Sequence, residues 1–187
     1  HAGANAIYYA VVSEADRQIG RLLQRLDELG LAEDTIVIFS ADNGPEDIAI
    51  RNASHSGVGS PGPFRGRKRS LYEGGIRVPA VISWPGTLPA GGVVEAPLHV
   101  VDLYPTLLGL AGASLAQEHA LDGRDAWPAI AHGAKTPHEV IVHNVTPWSG
   151  AIRVGDWKLV HNGAVPANAT EGPEAATYEL FHIAADP

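Results

Sequence analysis

Residues 35–44 read Thr35-Ile36-Val37-Ile38-Phe39-Ser40-Ala41-Asp42-Asn43-Gly44. The first six residues form an almost unbroken apolar, β-branched run, which predicts a strand buried on both faces, as in a parallel sheet. Two oxygen-bearing side chains, Asp42 and Asn43, follow at the carboxyl end of this strand. Because open α/β sheets hold ligands at that end, the stretch predicts an α/β fold with a candidate metal corner.

The elements around this strand extend the α/β pattern. Residues 7–29 carry apolar side chains at the spacing of one helix face, and Gly30 is placed to end that helix. A helix, a short turn and a buried strand make half of a βαβ unit. Farther along, residues 77–84 predict a second apolar strand. Residues 100–110 predict a helix with Pro105 in its first turn.

After about residue 115 the pattern changes to short β-like segments separated by turns. These segments cover residues 140–143, 151–154, 157–160 and 178–183. Short strands at close intervals predict a small antiparallel sheet. We therefore divide the chain into an α/β part over residues 1–115 and a small subdomain over residues 116–187.

Composition excludes several classes of protein. The chain has 187 residues, a net charge of −8 and 45% hydrophobic residues. The acidic balance argues against nucleic acid as a partner, and no apolar run approaches the roughly 20 residues needed to span a membrane. Cys 0 excludes disulfides and thiolate chemistry within this sequence. Met 0 favours a fragment of a longer protein, and nothing in the sequence indicates the oligomeric state.

A cation-rich loop follows the candidate metal corner. Its cations are Arg65, Arg67, Lys68 and Arg69. Lysine offers a mobile point charge to phosphate or sulfate oxygens, while arginine offers a fork of donors. A local basic loop on an acidic protein indicates a site for one small anion. Together with the metal corner, it suits a sulfate or phosphate ester bound near a divalent cation.

Each of these features has a simpler interpretation. Asp-Asn-Gly is also a common turn sequence, because Asp and Asn favour turns for local backbone reasons. A run of charges is most often a solvated surface. Glu73-Gly74-Gly75 is harder to dismiss, since glycines allow a close backbone approach. We interpret it as scaffold for Lys68, with Glu73 pairing with Arg77.

Several blocks of the sequence resemble the type I sulfatases in their order and spacing. The most specific reads Gly66-x-Lys68-x-Ser70-Leu71-Tyr72-Glu73-Gly74-Gly75-Ile76-Arg77. Other matching blocks lie at residues 13–20, 39–44, 102–108, 121–123, 151–159, 178–181 and 186–187. Residues 63–68 and 143–147 look most like the arylsulfatase B branch.

The resemblance implies a fold and site roles. The fold would be the rear half of an alkaline-phosphatase-like α/β domain, followed by a small antiparallel sheet subdomain. Asp42 and Asn43 match calcium ligands, giving a partial Ca²⁺ site, and Lys68 matches the lysine that holds the substrate sulfate. Arg65 and His55 are secondary candidates for substrate binding.

The nucleophile of that family is a formylglycine made within a Cys/Ser-x-Pro-x-Arg motif, and this sequence lacks the motif. There is no Cys, and the nearest stretch, residues 83–87, lacks the Arg. We therefore expect the formylglycine upstream of this fragment, and expect the fragment alone to be inactive.

The implied function is hydrolysis of a sulfate ester, on a sulfated carbohydrate, by an extracytoplasmic enzyme. Two alternatives remain open. One is a phosphatase or phosphonate hydrolase of the same superfamily, and the other is a non-catalytic sulfatase-like binding protein. An intact upstream Cys/Ser-x-Pro-x-Arg motif would favour an enzyme over a binding protein.

Overall fold

A computed structural model describes residues 2–46, 57–163 and 176–186. Four helices are seen in these ranges: α1 (Ala2–Glu28), α2 (Glu73–Ile76), α3 (Leu103–Leu110) and α4 (Trp127–His132). The strands are β1 (Val37–Ser40), β2 (Ala80–Ser83), β3 (Ile141–Thr146), β4 (Ser149–Val154), β5 (Trp157–Gly163) and β6 (Ala176–His182). They form a two-stranded sheet and a four-stranded sheet.

The first helix confirms the periodic pattern and its stop signal. Helix α1 ends at Glu28, and Gly30 follows in the left-handed conformation with φ +66°. The Leu31 amide donates to the Leu26 carbonyl at 2.9 Å, which closes the helix end. Along the apolar face, however, side chains such as Leu22 remain more than half exposed. The apolar period therefore predicted the helix but not what covers it.

The two strands of the α/β part differ from the prediction. Strands β1 and β2 are antiparallel, with Val37 opposite Ser83 and Ser40 opposite Ala80. Phe39 is 53% exposed. The prediction of a strand buried on both faces in a parallel sheet is therefore wrong for the described residues. A continuous apolar run indicates suitability for burial, but it carries no information about the direction of the neighbouring strand.

The C-terminal sheet confirms the prediction of a small antiparallel sheet. Its order is β3-β4-β5-β6, a meander in which every neighbouring pair is antiparallel. Gly155 and Asp156 form the two-residue turn between β4 and β5, and Gly155 has φ +57°. Helix α4 was not predicted, although Pro128 in its first turn and Gly133 at its end (φ +65°) are standard helix boundary signals.

A buried carboxylate fixes the 3₁₀ turn that leads into α3. A 3₁₀ turn over Val100–Asp102 leads into this helix, and Pro105 lies in its first turn as predicted. The Asp102 side chain is fully buried. It accepts hydrogen bonds from the amides of His99 (2.8 Å) and Arg124 (2.9 Å) and pairs with His138 Nε2 at 2.6 Å. One carboxylate thus joins α3 to the two segments that precede the C-terminal sheet.

The main apolar cluster of the described residues lies between the cation-rich loop and the C-terminal sheet. Leu71 from the loop packs with Ala151 of β4 and Val160 of β5, all at 5% exposure or less. Tyr72 and Phe181 flank this cluster, with their rings edge to face at 5.8 Å. The loop that carries Lys68 therefore rests directly on the C-terminal sheet.

Candidate active site

Backbone hydrogen bonds bring the candidate metal corner and the cation-rich loop together. The Gly44 amide donates to the Gly75 carbonyl at 2.8 Å, and the Lys68 amide donates to the Pro45 carbonyl at 2.9 Å. These bonds involve no side chains, so they fix the two main chains relative to each other. Asn43 and Lys68 consequently lie on adjacent backbone segments.

This close approach requires glycine. A Cβ atom at Gly44 would lie 1.9 Å from the Gly74 carbonyl oxygen, and one at Gly74 would lie 2.3 Å from the Gly66 oxygen. A Cβ at Gly75 would lie 2.3 Å from the Ser70 oxygen. Non-bonded atoms cannot approach to such distances. The three glycines therefore allow the loop to lie flat against the strand end, in the way the Gly-Gly sequence indicated.

Asp42 and Asn43 have the donor chemistry of a hard cation site. The Asp42 side chain is exposed, and no hydrogen bond or ion pair joins it to another residue within the described ranges. Asn43 Nδ2 donates to the Gly44 carbonyl at 2.8 Å. Ca²⁺ prefers carboxylate and amide oxygens, about 6–8 of them. The pair therefore fits such an ion as part of a ligand set, and no group of three or more His, Cys, Asp or Glu forms a metal cluster in the part of the chain that the structure describes.

Lys68 occupies the tip of a tight turn. The Ser70 amide donates to the Arg67 carbonyl at 3.0 Å, and Arg69 at the turn's third position has φ +72°. The Lys68 side chain is 37% exposed, and its Nζ lies 3.9 Å from Glu46 Oε2. This is a loose ion pair, so the ammonium group is available to an anion at the strand end.

The other cations of the loop are more closely engaged. Arg65 donates to Glu179 at 2.7 Å, and Arg69 forms an ion pair with Glu46. Arg67 donates to main-chain carbonyl oxygens, including that of Glu46 at 3.0 Å. Of the four cations predicted for this loop, Lys68 is therefore the one whose charge is most available to an anion.

The two secondary candidates are placed differently. The Arg65 guanidinium stacks over the Tyr72 ring at 4.0 Å and pairs with Glu179 of β6, and this hydrogen bond raises the pKa of Arg65 above its usual value. These contacts attach Arg65 to the C-terminal sheet. His55 lies outside the described residues.

Glu73 has a closer partner than the one predicted from the sequence. Its predicted partner, Arg77, lies 3.9 Å away, whereas Lys158 Nζ of β5 lies 2.8 Å from Glu73 Oε1. Both members of this closer pair are buried. Burial lowers the pKa of Lys158, and the hydrogen bond from Lys158 to Glu73 opposes that shift. The signal available in sequence was a single lysine within the apolar run of β5.

A cleft of about 650 Å³ opens beside Leu71 and is lined in part by histidines. The rings of His99 and His143 stack with their centres 5.9 Å apart. Burial, followed by the positive charge of Lys158, lowers the pKa of His143 to about 4. His143 is therefore neutral in the folded protein at neutral pH.

His143 should make folding stability depend on pH. In the unfolded chain its pKa returns to 6.5, so the unfolded state binds more protons between pH 6.5 and about 4. Stability contributed by this group is present above pH 6.5 and is lost as the pH falls towards 4. We expect the fall in the free energy of unfolding from pH 7 to pH 5, measured by urea unfolding, to be smaller for His143→Gln than for the unchanged chain. His119→Gln, at an exposed position, should keep the original pH dependence, and an equal loss of stability in all three chains would contradict this assignment.

Comparison with known proteins decides the family. The family model described as Sulfatase matches residues 5–113, more than half of the chain. The chain belongs to the sulfatase family. The matched range contains Asp42, Asn43, Lys68 and the Gly74-Gly75 pair.

Named relatives and solved structures agree with this assignment. The sulfatase chain is 40% identical to steryl-sulfatase from Mus musculus over 154 residues, which is 82% of this chain and 24% of that protein. It is 38% identical to N-acetylgalactosamine-6-sulfatase from Canis lupus familiaris over 73% of this chain and 25% of that protein. The structure of BT4656 in complex with its substrate D-glucosamine-2-N,6-O-disulfate aligns with a TM-score of 0.71 and 25% identity, covering 96% of this chain and 34% of that one.

These comparisons also show what share of its relatives' length the chain covers. It spans about a quarter of the length of the curated relatives described above. The comparisons confirm the predicted type I sulfatase fold with its small antiparallel sheet. The closer likeness to the arylsulfatase B branch and the division of the chain at residue 115 stay predictions. No helix within the described residues is long and apolar enough to cross a membrane.

Proposed function

We propose that the protein containing this sulfatase chain hydrolyses a sulfate ester, and that Lys68 holds the sulfate group. The observation that carries this proposal is the pair of backbone hydrogen bonds that place Lys68 beside the strand end of Asp42 and Asn43. The cation with the loosest ion pair in the loop thus lies beside the side chains suited to a metal. The family match supports sulfate as the anion.

The charges at this corner suit such a reaction. Sulfate oxygens change their charge as the S–O bond breaks, and a fixed cation on those oxygens stabilises the change in a site with little water. The ammonium group of Lys68 would supply that cation. Asp42 and Asn43 would supply two oxygen ligands to Ca²⁺, which would neutralise further negative charge on the ester when bound.

The remaining parts of the reaction are proposed to come from outside this sequence. The formylglycine nucleophile needs a Cys/Ser-x-Pro-x-Arg motif, which the 187 residues lack. We propose a sulfated carbohydrate as substrate. The names of N-acetylgalactosamine-6-sulfatase and of the disulfated glucosamine complex support this class, and the family resemblance supports an extracytoplasmic location.

The alternative functions make different predictions for the longer protein. A phosphatase or phosphonate hydrolase would prefer phosphorylated substrates, and a binding protein would turn over neither ester. We expect the longer protein to release sulfate from N-acetylgalactosamine 6-sulfate and not phosphate from N-acetylgalactosamine 6-phosphate. Ion chromatography of both products measures this. Faster phosphate release would favour the phosphatase, and release of neither ion would favour the binding protein.

The 187-residue chain alone is expected to bind Ca²⁺ only weakly. It contributes two side-chain ligands at this corner, whereas a full shell needs about 6–8 oxygens. Titration calorimetry on this chain should therefore show no micromolar affinity. In the longer protein we expect tighter binding that Asp42→Ala weakens and that Asp16→Ala, on the exposed surface of α1, leaves unchanged. Micromolar binding by the isolated chain would contradict this expectation.

A further inference from the structure

Several side-chain contacts connect the Lys68 loop to the C-terminal sheet. Lys158 of β5 binds Glu73 at 2.8 Å. Glu179 of β6 accepts hydrogen bonds from Arg65 at 2.7 Å and from the Tyr72 hydroxyl. The loop is thus held at both its beginning and its end by neighbouring strands.

The Lys158–Glu73 contact differs from the others in its burial. The Lys158 side chain is 1% exposed and that of Glu73 is 6% exposed, whereas Arg65 is 56% exposed. A buried charge without a partner is strongly unfavourable, so each member of a buried pair strongly restricts the position of the other. An exposed pair restricts its members far less, because water can replace either partner.

Glu73 directly precedes two residues that make backbone contacts of the loop. Glu73 is the first residue of α2, and the next residue, Gly74, donates its amide to the Arg65 carbonyl at 2.8 Å. Gly75 accepts the hydrogen bond from the Gly44 amide. Holding Glu73 therefore also holds one backbone contact within the loop, from Gly74 to Arg65, and one that sets the loop against the strand end, from Gly44 to Gly75.

We propose that Lys158 is a positioning residue for Lys68, acting through its buried ion pair with Glu73. The C-terminal sheet then sets the geometry of the candidate sulfate site without touching the sulfate. This inference rests on the proposed role of Lys68 in holding sulfate. Loss of the Lys158 charge should therefore destabilise the loop more than it destabilises the C-terminal sheet.

Amide hydrogen exchange on the longer protein tests the positioning role without any activity measurement. In Lys158→Met we expect the amides of Gly44, Lys68 and Gly74 to exchange at least about tenfold faster, the change that roughly 1.4 kcal/mol of lost local stability produces. The amides of the β3–β4 ladder should keep their rates and serve as the internal reference. Lys135→Met, a matched change at an exposed lysine, should alter neither set. Unchanged rates in the loop, or equal acceleration in loop and ladder, would overturn the proposal.

Two further variants keep the test decisive if Lys158→Met fails to fold. Glu73→Gln keeps the size and a hydrogen-bonding group but removes the charge, and it should accelerate exchange in the same loop amides. The exchanged pair Glu73→Lys with Lys158→Glu restores opposite charges and should slow those amides back towards their original rates. A loop as well protected in Glu73→Gln as in the original chain would overturn the proposal.

The longer protein gives a second readout, with inorganic sulfate as the probe. We expect Lys158→Met to weaken inhibition by sulfate about tenfold and to lower kcat at a temperature where the variant remains folded, since small misplacements of a binding group carry large rate penalties. Lys135→Met should do neither. Unchanged sulfate inhibition in Lys158→Met would overturn the link to Lys68. If the unsubstituted protein hydrolyses no sulfate ester, the proposed function fails, and the exchange experiment still decides the role of Lys158.

Discussion

Lys68→Ala should lower kcat/KM for sulfate ester hydrolysis by about 10²–10³-fold in the longer protein, the usual effect of removing one charge-stabilising contact from an active site. Lys68 lies beside the proposed metal corner, and its ion pair with Glu46 is loose, at 3.9 Å. Its ammonium group is therefore available to contact the sulfate oxygens while their charge changes during the reaction. Steady-state kinetics with a small aryl sulfate measures the loss.

Arg69→Ala is the matched comparison within the same turn. Its side chain is 50% exposed and pairs with Glu46, so its removal should cost little, as expected for solvent-exposed ion pairs. Arg67 is less suitable, because its guanidinium donates to the main-chain carbonyl groups of Glu46, Gly57 and Gly59. Equal, small losses in Lys68→Ala and Arg69→Ala would exclude Lys68 as the group that holds the sulfate.

Gly74→Ala should strongly destabilise the folded protein. Its Cβ would lie 2.3 Å from the Gly66 oxygen, 2.6 Å from the Arg65 oxygen and 2.9 Å from the Phe64 oxygen. All three are main-chain atoms, which cannot move aside as a flexible side chain can. Overpacking commonly lowers the free energy of unfolding by about 1–3 kcal/mol. We expect at least that loss here, because main-chain atoms would have to move. Urea unfolding measures it.

Gly109→Ala provides the control for this change. Gly109 lies within α3, and a Cβ added there would meet no neighbouring group within 4 Å. Alanine there should stabilise the protein by up to about 1 kcal/mol, since alanine favours the helix over glycine. If Gly74→Ala unfolded at the same urea concentration as the original chain, the close approach of the loop to the strand end would be wrong.

Local sequence patterns predicted most of the elements. The 3.6-residue apolar period and Gly30 indicated α1, and Pro105 within the first turn of α3 matched the expected boundary. Short β-like segments with a Gly155 turn predicted the C-terminal meander. These features depend on residues close together in the chain, so their information is present in the sequence.

The candidate site was predictable in part for the same reason. Asp42 and Asn43 follow the strand after one residue, and Lys68 lies in a specific block shared with the sulfatases. Their proximity, however, depends on contacts between the strand end and the loop, such as the Gly44–Gly75 hydrogen bond. The engagement of Arg65 and Arg69 with carboxylates could not be predicted, because those partners lie elsewhere in the chain.

Sequence alone thus determined the family block, the identity of the candidate site residues and most of the elements that carry them. Only the tertiary structure decided that β1 and β2 pair antiparallel, and that Lys158 rather than Trp157 faces the core. On β5 alternate residues face opposite sides, and hydrophobicity alone would have placed Trp157 inside. The buried charge of Lys158 is compensated by Glu73 of α2, whose carboxylate lies 2.8 Å from it although α2 is distant in the sequence. Such a pairing depends on where two separate segments meet, and no local pattern encodes that.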